Sequence, residues 1–109
     1  MYHDIRTEHA GYTYAEAAAI AAENDEEAVP AFCAMCGPQE NCRVYAFRKN
    51  GRMTRVMGMA EGAVNRGGIC AKGAAAASWV YAPERLTTPM IRTGARGEGK
   101  FRNVSWDEA

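Results

Sequence analysis

Three of the four cysteines in this 109-residue chain, Cys33, Cys36 and Cys42, fall within ten residues, and the fourth, Cys70, stands far downstream. Any fold that uses all four must return residue 70 to the segment 33–42. A three-plus-one grouping suits a cubane iron–sulfur cluster, with a local tripod of thiolates and one distant ligand closing the site. It suits a two-plus-two zinc ribbon or a secreted disulfide framework less well. Cys33-x2-Cys36 places two thiols on one tight turn, and Cys42 follows Gly37-Pro38-Gln39-Glu40-Asn41, a loop able to wrap an object. Gly67-Gly68 before Cys70 permits close backbone approach, and amide N–H groups there can tune a cluster's potential. Spacing alone leaves three readings open: a four-thiolate Fe4S4 cluster, a structural zinc site, and disulfides or free thiols.

Composition says that such a chain needs help to fold. The hydrophobic fraction of 48% is carried by 21 alanines, whereas Leu, Ile, Val and Phe together number 14 and Leu86 is the only leucine. A large aliphatic side chain contributes about 1.5–3 kcal/mol when buried, and alanine much less. A small domain is already short of buried surface. A metal centre, a partner surface or more polypeptide must make up the difference. Lys+Arg and Asp+Glu are equal at 13 each, so there is no basic excess for nucleic acid or an anionic membrane. The chain shows no secretory signal, no twin-arginine pair and no apolar run of membrane-spanning length. The expected setting is therefore cytoplasmic and reducing, where cysteines serve metals or catalysis, with the periplasm as the alternative if processing has removed a leader.

Local signals outline a small α+β domain. Thr13-Tyr14-Ala15-Glu16 reads as a capping box opening a helix that fades by Asn24, with Pro30 closing the segment. The acidic run Glu23, Asp25, Glu26 and Glu27 reads as a solvated helix end and linker. Asn50-Gly51 between two alternating runs predicts a type I′ hairpin that pairs Lys49 with Arg52, Phe47 with Thr54 and Tyr45 with Val56. Tyr45, Phe47, Thr54 and Val56 then face inward, and Val44, Met53 and Met57 share the other face with Arg48 and Arg55. Residues 58–68 read as loop, 72–79 as a short helix ended by Pro83, and 89–92 and 100–104 as two short strands. Ser105 and Glu108 form a second capping signature one turn before Ala109, so the polypeptide is expected to continue.

These residues resemble a known family. Cys33-x2-Cys36, Cys42, the hairpin and Asn65-Arg66-Gly67-Gly68-Ile69-Cys70-Ala71-Lys72-Gly73 are similar to the N-terminal Fe4S4 domain of molybdopterin oxidoreductases. This is the dimethyl-sulfoxide-reductase superfamily, which includes formate dehydrogenases and nitrate, polysulfide and arsenate reductases. The likeness continues through Tyr81-Ala82-Pro83-Glu84-Arg85-Leu86, Pro89-Met90-Ile91-Arg92, Gly97-Glu98-Gly99-Lys100-Phe101 and Val104-Ser105-Trp106-Asp107-Glu108-Ala109. It implies that Cys33, Cys36, Cys42 and Cys70 ligate one Fe4S4 cluster. It implies that Lys72 is an electron-transfer relay between cluster and pterin. It also implies molybdenum or tungsten held by two pterin guanine dinucleotides in domains that follow. One departure stands out: five residues separate Cys36 from Cys42, where the family usually has three.

The resulting expectation is a fragment of an oxidoreductase, an α+β domain with a β-hairpin, further short antiparallel strands and short helices. Residues 1–30 form an N-terminal extension with a short helix, 31–92 the cluster domain, and 93–109 the start of the molybdopterin-binding region. Its work is one-electron transfer between a redox partner, such as an electron-transfer subunit, and the pterin-bound metal. The rival is a non-catalytic four-cysteine zinc module for structure or docking. His3 and His9 read as exposed tail residues, Met53, Met57 and Met59 as gap-filling core, and Trp79 and Tyr81 as packing residues. Arg66 reads equally as a pterin-facing or a loop cation. No base stands near the cysteines in sequence to make one a hydrolytic nucleophile.

Overall fold

The computed structural model describes residues 11–37 and 41–109. His3, His9 and residues 38–40 of the loop between the second and third cysteines lie outside the described residues.

The chain opens with α1 (Tyr14–Glu23), and the expected capping box is complete: the Thr13 hydroxyl accepts from the Glu16 N–H, and the Glu16 carboxylate accepts from the Thr13 N–H at 2.8 Å. Asn24 caps the other end. The helix is rich in alanine, and that smallness lets it lie close on the sheet. Ala17 and Ala21, one turn apart, are buried with Tyr45 and Phe47, and Tyr12, Ile20, Ala28, Met57 and Met59 pack around them.

Three antiparallel strands follow, β1 (Glu27–Cys33), β2 (Cys42–Lys49) and β3 (Arg52–Gly58), in the order β1-β2-β3. The first of these corrects the sequence reading, which had placed a linker here. Pro30 does not close the segment but sits inside β1, where an edge strand tolerates the N–H it lacks. The acidic run is solvated at Asp25, as expected, but not throughout. Glu26 reaches Arg55 at 2.7 Å with its side chain only 7% exposed, Glu27 reaches Arg48 at 2.7 Å, and Asp25 meets Lys49 at 3.4 Å. Glu26 and Glu27 tie the start of β1 to cations of the hairpin.

The hairpin turns at Asn50 and Gly51, both at positive φ, and Lys49 pairs with Arg52 as expected. A bulge then shifts the register. Arg48 faces Met53 but Phe47 faces Arg55, so Thr54 is the extra residue, and its hydroxyl donates to the Phe47 carbonyl at 3.2 Å. Tyr45 consequently faces Met57 and Ala46 faces Val56, one residue away from the predicted pairing. Tyr45 and Phe47 do point inward, at 2% and 0% exposure, and the Arg55 guanidinium lies 4.5 Å over the Phe47 ring. Met57 joins this core side instead of the opposite face.

Beyond β3 the chain turns back on itself. Tyr12 bridges Met59 in parallel, with Tyr12 N–H to Gly58 O at 2.9 Å and Ala60 N–H to Tyr12 O at 2.8 Å. Gly11, Gly58 and Gly67 meet backbone to backbone here. A Cβ on Gly11 would stand 2.5 Å from Gly67 Cα, and one on Gly58 would fall on the Gly67 carbonyl. The predicted single helix is two short ones, α2 (Ala71–Ala74) and α3 (Ala76–Val80), broken at Ala75. Tyr81 then latches onto the hairpin: its hydroxyl accepts from the Met53 N–H at 3.0 Å, and Arg52 stacks 3.8 Å above its ring. A separate hairpin, β4 (Met90–Arg92) with β5 (Phe101–Asn103), completes the described elements. Ser105 caps the Glu108 N–H at 3.2 Å in a closing turn.

Candidate metal centre

The elements bring the four cysteines to one place. Cys33 ends β1 and Cys42 begins β2, and the two are direct cross-strand partners. Partners in an antiparallel ladder send their side chains to the same face. The connection between them carries Cys36 on a turn closed by Gly37 N–H to Ala34 O at 3.3 Å, with Gly37 at positive φ. One β-hairpin thus presents three thiols. Cys70 arrives from the other side, as the residue that precedes α2.

All four thiols are free, and together with Met35, Ile69 and Gly73 they line a single cavity of about 60 Å³. Gly73 keeps that space open. A Cβ there would meet Ile69 Cγ1 at 2.9 Å and stand 3.7 Å from Cys33 Sγ, so a larger side chain would enter the cavity. Among the described residues no three His, Cys, Asp or Glu side chains converge as a single metal ion would require. The four thiols border one common space. Soft sulfur donors around an apolar pocket fit an iron–sulfur cluster.

The surroundings of Cys70 favour its thiolate. The Cys70 thiol is held below its ordinary range, first by the backbone N–H of Gly73, then by that of Lys72, with the Lys72 charge adding to both. The Lys72 ammonium donates to Cys36 Sγ at 3.1 Å, and that bond, with the negative charge it implies, holds Lys72 protonated above its usual range. Lys72 also lines a groove of about 580 Å³ with Ala34, Met35, Ala75 and Trp79. It therefore touches both a cavity-lining thiol and the neighbouring groove.

Asn65, in the motif that leads to Cys70, has a structural role that the sequence does not reveal. Asn65 accepts from the Arg43 N–H at 2.9 Å and donates to Arg43 O at 2.9 Å and Gly68 O at 2.8 Å. Its place five residues before Cys70 was visible, but its partner beside Cys42 was not. Glu61 was also missed: it accepts from the Tyr45 hydroxyl and the Tyr14 N–H, both at 3.2 Å, and burial followed by the Glu61 charge pushes the Tyr45 phenol up. Arg66 takes a positive φ and sends its N–H to Gly62 O at 2.8 Å, so its backbone shapes the loop that leads to Cys70.

Comparison with known proteins agrees with this geometry. The family model described as "Molybdopterin oxidoreductase Fe4S4 domain" matches residues 26–82, and that described as "Molybdopterin oxidoreductase" matches 85–109. The chain is 40% identical over 81 residues to a periplasmic nitrate reductase of Campylobacter fetus, covering 71% of this chain and 8% of that protein. It is 39% identical over 87 residues to a dopamine dehydroxylase of Eggerthella lenta, covering 79% and 8%. It is 36% identical over 77 residues to a probable oxidoreductase, YoaE, of Bacillus subtilis, covering 71% and 11%. The chain thus spans 8 to 11% of the length of these relatives. It belongs to the molybdopterin oxidoreductases, and its cysteine-bearing half is their Fe4S4 domain.

Proposed function

We propose that Cys33, Cys36, Cys42 and Cys70 hold an Fe4S4 cluster and that this domain relays single electrons between a redox partner and a pterin-bound molybdenum or tungsten. The observation that carries this reading is the common cavity of the four thiols with Lys72 at its rim. A bound cluster supplies reversible one-electron chemistry. The chain's own residues supply the rest. Four thiolates bind, and the N–H groups of Lys72 and Gly73 aim at Cys70 and stabilise its negative charge. Ile69 and Met35 keep the pocket apolar. Lys72 places a fixed cation against Cys36, which favours added negative charge and marks the exit toward the groove of Trp79.

Residues 31–92 would then be the cluster domain, and 93–109 would lead into the pterin-binding region, whose family match begins earlier, at residue 85. Further domains of the same polypeptide would bind two pterin guanine dinucleotides, and an electron-transfer subunit would be the outside partner.

Freeze-quench electron paramagnetic resonance on the full-length protein tests this reading. After a pulse of reductant, the cluster signal should rise and then pass its intensity to the pterin-bound metal. Lys72→Ala should keep its cluster and slow that passage by roughly tenfold, the scale of one lost charged hydrogen bond. A metal that is reduced with no prior cluster signal would contradict the relay, and unchanged kinetics in the variant would remove Lys72 from it.

A further inference from the structure

We propose that Asn65 is a positioning residue for the cluster: its side-chain amide sets the separation between the Cys42 strand and the Cys70 loop. This rests on the reading that the four cysteines hold a cluster. The fourth thiol is delivered by residues 59–70, a segment of turns with no regular ladder to the sheet beyond the bonds at Met59. Something must fix that segment against the hairpin that bears the other three. Asn65 does so by occupying both backbone groups of Arg43, the residue next to Cys42. Its Oδ1 takes the Arg43 N–H and its Nδ2 gives to Arg43 O, imitating a strand partner. The second Nδ2 proton goes to Gly68 O, two residues before Cys70. One planar amide therefore ties the neighbour of one ligand to the approach of another.

The chemistry requires this particular side chain. An aspartate has the same shape but would turn an acceptor toward the two carbonyls that Nδ2 now serves. A serine cannot span both segments. Space is also set: a Cβ on Gly62 would meet Asn65 Oδ1 at 2.5 Å, so the amide is held against a bare backbone.

The test compares Asn65→Asp and Asn65→Ser with the native sequence in the full-length protein, expressed and purified anaerobically. Thr54→Val is the control, since it removes the bulge hydrogen bond to Phe47 O without touching either cysteine segment. Both Asn65 variants should lose iron to a chelator roughly tenfold faster than the native protein, as expected for two or three missing hydrogen bonds. Their reduced resonance spectrum and midpoint potential should shift, whereas Thr54→Val should match the native protein in all three. Failure of both Asn65 variants to load a cluster, with Thr54→Val loading normally, supports the same assignment. Asn65 variants that match the native protein in chelator resistance, spectrum and potential would overturn it. A native protein that holds no iron and sulfide would instead overturn the underlying cluster reading.

Discussion

At the scale of single residues, the centre depends on groups that are absent as much as on groups that are present. Gly73 and Gly51 show two different reasons for a missing side chain. Gly51 has nothing within 4 Å of a would-be Cβ, but its φ is +76°, so the demand there is conformational. Gly73 is crowded by Ile69 and borders Cys33 Sγ, so the demand there is for space. Gly51→Ala should cost about 1–2 kcal/mol of stability and leave iron content per folded chain unchanged. Gly73→Val should place two methyl groups into the cavity and sharply lower iron content. Iron analysis alongside thermal melting checks the pair. A Gly73→Val protein with full iron content would show that the space is not needed.

At the scale of elements, α1 lies before the region that the Fe4S4 family model matches, yet it supplies half of the main buried cluster. Ala17 is fully buried on the sheet, whereas Ala19 is exposed. Ala17→Leu should overpack that contact and cost about 1–3 kcal/mol, while Ala19→Leu should stay within about 0.5 kcal/mol. Equal melting temperatures for the two would mean that α1 does not dock. The helix was legible because its capping box is local: Thr13 and Glu16 are three residues apart, and both bonds form. The Asn50-Gly51 turn was legible for the same reason. The strand β1 was not, because Pro30 and three successive acids mimic a linker, and only the distant cations Arg48, Lys49 and Arg55 make those acids structural. The bulge at Thr54 was hidden too, since alternation continues on either side of it and only pairing reveals the slipped register. With β1 unread, the cross-strand partnership of Cys33 and Cys42 could not be seen. The spacing singled out the four cysteines, and the long-range pairing explains how they come to line one cavity.

At the scale of the whole molecule, the described core is thin. Six buried apolar residues, Ala17, Ala21, Val44, Tyr45, Phe47 and Val104, serve a body that extends 62 × 35 × 20 Å. Its Cα radius of gyration is 18.9 Å, against roughly 13 Å for a compact domain of this length. Leu86 and Trp106 are 75% and 80% exposed, and Trp79 and Val64 are largely open. Such surface is what a domain carries when it packs against more polypeptide, in keeping with relatives of which this chain spans about a tenth. No helix among the described residues is long and apolar enough to cross a membrane. The sparse aliphatic composition is thus matched by a thin core, and the proposed account gives the fold two supports, the cysteine centre and a neighbouring surface. The first support is open to direct measurement. Iron, acid-labile sulfide and zinc should be determined on the anaerobically purified full-length protein and on Ser variants of Cys33, Cys36, Cys42 and Cys70. Equal iron and sulfide, with a one-electron-reducible signal that each substitution abolishes or alters, is the predicted result. Zinc without sulfide, or a cluster indifferent to loss of any of the four thiols, would contradict it.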